Sequence, residues 1–300
     1  MDHGCRKKKL AKKQKCVKYK ASGHPKKHAI ICAKPKGPMN AREEKKLSKW
    51  FQEYANKFAG QNGKLPPMLK LKLVHSRRVA DNSAGIGHDL GFDGEDARAA
   101  RMLGLLHDIG RFTQFADHQT FRDELSFNHG QRGAHILKKC PALAACSVKD
   151  RRRIIAGVRY HNRMHLPKNL DADTMQFVKL ARDADKLDIF SVLYHSLKSG
   201  ELLRSPDIAL MVNFKGPVNP AAMEEMKSKQ RVYIANVKSL ADFFLLQLSW
   251  VYDINFTPTC RRMISRKVIE HIAEVLPATK DIKEQIALAK AHLRARLRRR

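Results

Sequence analysis

Leu105-Leu106-His107-Asp108-Ile109-Gly110-Arg111 is the stretch on which the reading of this chain turns. Upstream, Ala97, Ala99, Ala100, Met102, Leu103, Leu105 and Leu106 recur at helical spacing. Asp93, after Gly91, is placed to cap the first turn, with Asp96 in the third helical position of a capping box. Adjacent residues on a helix point ~100° apart. His107 and Asp108 therefore reach one point only at a helix end or an irregular turn, and Gly110 supplies such a break.

Working outward, the pattern stays helical. Trp50, Phe51, Tyr54 and Phe58 mark one apolar face in a helix beginning near Ala41. Pro66 and Pro67 interrupt, and residues 68–86 read as the next helix. Further helices are expected at about 130–139, stopped by Pro141, at 148–161, closed by Pro167, and at 174–197. Strand alternation appears nowhere, so the expected class is all-α. Residues 199–230 are rich in Gly, Pro, Ser and Asn and read as a linker or crossing segment. Six aromatics then fall within 231–257, a pattern that suits core packing. Residues 280–300 form a basic helix running into a cationic end.

The chain has 300 residues, a hydrophobic fraction of 43% and a formal charge of +30. That composition excludes a wholly disordered protein. The charge is uneven: residues 1–40 carry 13 basic residues against the single acid Asp2, and residues 291–300 carry five arginines and no acid. Residues 1–40, broken by Gly23, Pro25, Pro35, Gly37 and Pro38, read as a disordered basic tail. Cys5, Cys16, His24, His28 and Cys32 are zinc-ligand types, but their spacing gives no compact paired-ligand pattern. The expected organisation is a tail over 1–40 and one all-α domain over 41–300. Its metal-binding core spans 64–197 and its C-terminal helices span 231–300. Six irregularly spaced cysteines and no apolar leader suggest a reducing, cytoplasmic location. No apolar run approaches the ~18 residues of a membrane span.

Four histidines and two aspartates stand out: His75, His107, Asp108, His129, His161 and Asp185. Apart from the adjacent pair, each sits on or at the end of a different expected helix. Imidazole with carboxylate suits borderline or hard divalent ions, and a helical bundle assembles such sites from facing helices.

The His107-Asp108-Ile109-Gly110-Arg111 turn, His75 before it and Ala184-Asp185-Lys186-Leu187 after it resemble the HD-domain metal-dependent phosphohydrolases. The likeness covers about residues 64–197 and includes Phe127 to Ala134 and Arg159 to Asn162. Within it, the HDIGR turn and the RDADKLD run of residues 182–188 resemble a small phosphohydrolase subgroup. The cyclic di-GMP type is disfavoured, since Tyr160 to Pro167 holds no GYP tripeptide and no paired histidine. The resemblance implies an all-α bundle in which His75, His107, Asp108 and Asp185 bind a metal. His129 and His161 match the additional histidines of two-metal members, and Asp108 matches the bridging carboxylate. The cofactor expected is a divalent metal, with two ions drawn from Mn, Fe, Co, Ni, Zn or Mg.

Hydrolysis of a phosphate ester needs a nucleophile at neutral pH and a sink for negative charge, and divalent ions supply both. Arg78, Arg111 and Lys186 are the candidate phosphate clamps beside Asp108. The expected substrate is a phosphorylated small molecule, a nucleotide or related organophosphate. Two alternatives use the same residues differently: an HD-fold di-iron oxygenase, and a non-enzymatic basic protein binding nucleic acid on an HD scaffold. Nonspecific nucleic-acid binding through the basic tails is expected in either case from charge. His88, His118, His135, His165, His195 and His271 read as surface or core histidines, with outer or substrate contact the alternative for His118 and His165, which flank the candidate site in sequence. Asp183 lies off the helical face of Asp185, so Asp183→Asn is expected to keep most activity.

Overall fold

Pro67 opens the helix on which the rest is arranged. Proline at the first helical position loses nothing, because its missing N–H has no partner there. From it α2 (Pro67–Asp89) runs unbroken for 23 residues. In this computed structural model residues 37–204 and 212–298 are described, the side chains of 203 and 204 excepted. The expectations on residues 1–36 (the body of the basic tail and the Cys/His set) lie outside the described residues.

Two helices pack directly on α2, and a third packs on both of them. Asp93 accepts the N–H groups of Glu95 and Asp96 and so starts α3 (Gly94–Leu106). Asp96 does not complete a capping box: its carboxylate turns to the buried Arg153. Arg153 sits on α7 (Val148–Tyr160), whose first turn Ser147 caps. It also binds Asp173 and lies 4.2 Å from the Phe177 ring centroid. Both partners belong to the long helix α8 (Ala172–Lys198), capped by Asp171. One guanidinium thus ties α3, α7 and α8 together. The faces that meet are apolar: Leu69, Leu73 and Val79 of α2, Met102, Leu103 and Leu106 of α3, Leu180, Ala184 and Leu187 of α8. Burying each large aliphatic side chain stabilises by roughly 1.5–3 kcal/mol.

The flanking helices follow the same logic. The aromatic stripe of α1 (Ala41–Asn56) and Phe58 beyond it pack on Phe112 of α4 (Gly110–His118), with Phe51 and Phe112 edge to face at 6.0 Å. Then come α5 (His129–Lys138) and the single turn α6 (Pro141–Ala144). A short α9 (Glu201–Arg204) follows α8. Within the stretch read as a linker, Asn219 caps a ten-residue helix, α10 (Pro220–Lys229). The cap and the N1 proline, both counted as loop composition in the sequence, start a helix here. Next, α11 (Leu240–Trp250) begins in a Ser239–Asp242 capping box and buries Phe243, Phe244, Leu245 and Leu248. The last three helices are α12 (Thr257–Ser265), α13 (Val268–Val275) and α14 (Lys280–Arg298). Of these, α12 and α13 pack on α8, and α14 packs on α11, α12 and α13. The architecture is all-α. Among the described residues the one β-type pairing is the isolated bridge between Asn213 and Ser239, and no helix is long and apolar enough to cross a membrane.

Candidate metal centre

All six singled-out residues converge. His75 projects from the middle of α2 and Asp185 from the middle of α8. His107 and Asp108 occupy the turn between α3 and α4, so an irregular break does let neighbours face one point. His161 is the C-cap of α7 and His129 the first residue of α5, fixed by Asn128 capping the Gln131 N–H. The turn approaches α5 closely: a Cβ on Gly110 would lie 2.2 Å from the His129 carbonyl oxygen, and one on Gly130 2.7 Å from Asn162 Oδ1. Only glycine admits that contact.

The geometry divides into two halves about Asp108. Its Oδ2 lies 3.6 Å from both His75 Nε2 and His107 Nε2. Its Oδ1 lies 3.4 Å from His129 Nε2 and 3.7 Å from His161 Nε2. Asp185 Oδ1 completes the first half, 3.1 Å from His75 Nε2 and 3.5 Å from His107 Nε2. That oxygen is buried and has no hydrogen-bond partner.

Each imidazole is held from behind through Nδ1. His75 Nδ1 faces Asp188 Oδ2 at 2.7 Å, and His107 Nδ1 faces the Gly104 carbonyl at 2.8 Å. His129 Nδ1 lies 2.9 Å from both oxygens of Asp123, and His161 Nδ1 2.8 Å from the Val158 carbonyl. Oxygen acceptors place the proton on Nδ1 and aim the Nε2 lone pair inward, the arrangement that orients metal-ligating histidines. Yet His129 and His161 meet Nε2 to Nε2 at 3.0 Å, and His75 and His107 at 3.2 Å. Two lone pairs at that distance make no bond, and a cation between them resolves the conflict. The donor set of four imidazoles and two carboxylates therefore fits divalent ions. His75, His107 and Asp185 form one compact ligand group, and His107, Asp108 and His161 another.

The electrostatics favour the donor forms of Asp108, Asp185 and His129. Burial opposes ionisation of Asp108, yet Lys72, His107, His161 and Arg111 hold its carboxyl well below the usual range. Asp185 is likewise held down, against burial, by His107 and His75. Burial and the Arg111 charge push His129 down to about 3, so it is neutral at ordinary pH. His75 moves the other way: burial opposes a proton there, but the Asp185 and Asp188 carboxylates raise its pKa.

The three candidate clamps separate. Arg111 lines the cavity over the cluster, its Nε 3.5 Å from Asp108 Oδ1 and its Nη1 on Asp123 at 3.1 Å. Lys186 also lines that cavity, with its ammonium on Asp253. Arg78 does not line it. Its guanidinium closes on Asp188, Nε to Oδ1 at 2.6 Å and Nη2 to Oδ2 at 3.1 Å, because a residue one turn from His75 reaches what lies behind the imidazole. Asp183 ties α8 to the segment before α12. It is fully buried and accepts from the N–H groups of Asn255 and Phe256 and from Asn255 Nδ2. His118 packs edge to face on Phe127, and His165 is exposed.

Two residues of the site escaped the sequence reading as functional. Lys72 donates to Asp108 Oδ2 at 2.8 Å. Its signal was its place three residues before His75, on the same helical face. Asp123, in a single helical turn at 123–125, holds His129, Arg111, Gln114, Asn128 and Asn162. Those contacts hold its pKa down to about 2 against burial. A loop carboxylate has no periodicity to announce it.

No curated protein and no solved structure matches the chain. Residues 73–204 match the family model of the HD domain. This span contains every residue of the converging cluster.

Proposed function

We propose that this protein is a metal-dependent phosphohydrolase cleaving a phosphate ester of a small molecule, a nucleotide or related organophosphate. The observation that carries the reading is the pair of Nε2-to-Nε2 approaches at 3.2 and 3.0 Å on opposite oxygens of one carboxylate. His75, His107, Asp108 and Asp185 would hold one ion, and Asp108, His129 and His161 a second. Asp108 would be shared between them. A divalent ion bound there supplies a Lewis acid for the phosphoryl oxygens and lowers the pKa of a coordinated water toward ~7.

The chain's own residues do the rest. Asp188, Gly104, Asp123 and Val158 fix the four imidazoles in the tautomer that leaves Nε2 free. Arg111 and Lys72 place positive charge beside Asp108, where the non-bridging oxygens of a phosphate would lie. Lys186 adds charge on the cavity wall. The HDIGR turn and the RDADKLD run of residues 182–188 support the small-phosphohydrolase subgroup, and the buried thiols of Cys140 and Cys260 suit a reducing, cytoplasmic setting.

The test is metal analysis joined to a panel of phosphomonoesters and phosphodiesters. Close to two ions per chain with phosphate release that a chelator abolishes is the expected result. A protein that binds no divalent ion tightly, or binds it and cleaves no ester, overturns the reading. Oxygen consumption by an iron-loaded sample without ester cleavage would point instead to the oxygenase alternative.

A further inference from the structure

The cavity over the cluster encloses about 630 Å³, and only part of its wall is polar. On α2 the lining passes from His75 and Lys72 back to Met68. On α8 it passes from Asp185 forward to Ile189 and Leu193. At 1.5 Å per residue these runs carry the wall about 10–12 Å along each axis away from the ligand residues. Over that distance it changes from charged to apolar. The opposite wall comes from α11, where Phe243, Leu246 and Trp250 share one face, and from Val232 and Val237 before it. These residues lie outside the span that matches the HD domain.

Several polar groups bordering this chamber are already committed, while Arg231 and Lys238, beside Val232 and Val237, line it with their cations. Ser249 Oγ donates to the Leu246 carbonyl. Arg182 and Lys186 close on Asp253. Between Ile189, Leu193, Phe243, Leu246 and Trp250 a sugar or base edge would exchange water for few partners, which costs free energy. An alkyl or aryl group would gain by leaving water.

We propose that the alcohol part of the substrate is apolar: a phosphate monoester of a hydrocarbon chain or ring, with the phosphate over the cluster and the hydrocarbon between α8 and α11. This inference rests on the hydrolase reading and narrows its substrate class to an organophosphate other than a nucleotide. The reaction consumes water. The water oxygen forms the new bond to phosphorus, the bond from phosphorus to the ester oxygen breaks, and that oxygen takes a proton. The products are inorganic phosphate and the apolar alcohol.

The test uses the full chain carrying Trp50→Phe, so that Trp250 is the single tryptophan. Trp50 lies on α1, stacked on Tyr54 and away from the cavity lining. With Mn²⁺ present, ethyl, butyl, hexyl and octyl phosphate are titrated below self-association, and Trp250 emission and phosphate release are both read. The expected result is an emission shift on binding, with affinity rising about fourfold per added methylene and kcat/KM following it. Ile189→Asp should flatten the series while inorganic phosphate binds as before. Affinity independent of chain length, or adenosine monophosphate binding more tightly than octyl phosphate, overturns the proposal. The two readings fail differently. Chain-length-dependent binding with no phosphate released keeps the apolar chamber and sinks the hydrolase. Equal cleavage of ethyl, octyl and nucleoside phosphates keeps the hydrolase and sinks the chamber.

Discussion

Asp188 lies 2.7 Å behind His75, on the ring nitrogen that faces away from the cluster. The contact spans α2 and α8 and fixes which nitrogen of His75 points inward. Asp188→Asn retains the shape but removes the charge that holds the Nδ1 proton. Its other partner, Arg78, is 41% exposed and can turn to water. Metal affinity should fall about 10–100-fold, with little change in helix content. Calorimetric titration with Mn²⁺ checks it, and unchanged affinity would remove Asp188 from the site.

The site should also reverse the pH dependence of stability when ions bind. In ion-free protein the folded-state pKa of His75 lies above the ordinary 6.5, so the folded chain holds a proton the unfolded chain releases. That contribution is full below 6.5 and is lost as pH rises through the raised value. His129, lowered to about 3, has the opposite sign. Between about 6.5 and 3 the unfolded chain binds a proton that the folded chain refuses, so stability falls as pH drops. For these two groups the ion-free optimum lies near 6.5. An ion displaces the His75 proton, so metal-bound protein should gain stability as pH rises past 6.5. Melting curves with EDTA and with Mn²⁺, across about pH 5 to 9, decide this.

Asp108→Asn should remove the charge shared by both halves of the centre and strand Lys72 beside an amide. Metal content should fall below one ion per chain and ester cleavage by orders of magnitude. Near-wild-type metal content would show that Asp108 is not the shared ligand.

Asp183→Asn should damage the fold rather than the centre. An amide nitrogen would face N–H donors of Asn255 and Phe256 in a fully buried place. The expected loss is about 1–3 kcal/mol of stability, with metal stoichiometry unchanged in the folded fraction. Urea denaturation and metal analysis of the same sample separate the two effects.

Gly110→Ala probes the turn itself. Its Cβ would sit 2.2 Å from the His129 carbonyl and 2.8 Å from the Gly133 nitrogen, both backbone atoms that cannot swing aside. Overpacking of about 1–3 kcal/mol is expected, and the His107–Asp108 turn should be pushed away from α5. A lower melting temperature together with weaker binding of the second ion is the predicted pair of changes.

What the sequence determined by itself was periodic or paired. Helical spacing of apolar residues located the longer helices of residues 41–197, though not α4 or α6, and the all-α class. The His107-Asp108 pair, with single histidines and Asp185 on separate helices, marked the residues that converge. Asp93 as a cap and Gly110 as a break were legible because capping and close approach are local chemistry. Tertiary structure alone decided the partners. Arg78 and Lys186 are equal on paper, one a helical turn from His75 and the other next to Asp185. Only packing turns Arg78 to Asp188 behind the imidazole and leaves Lys186 on the cavity wall. Asp183 looked neutral because its partners at 255 and 256 are some seventy residues away. Asp123 and Lys72 became part of the site for the same reason. A hydrogen bond across the bundle depends on where two helices cross, and no spacing along one chain segment records that distance.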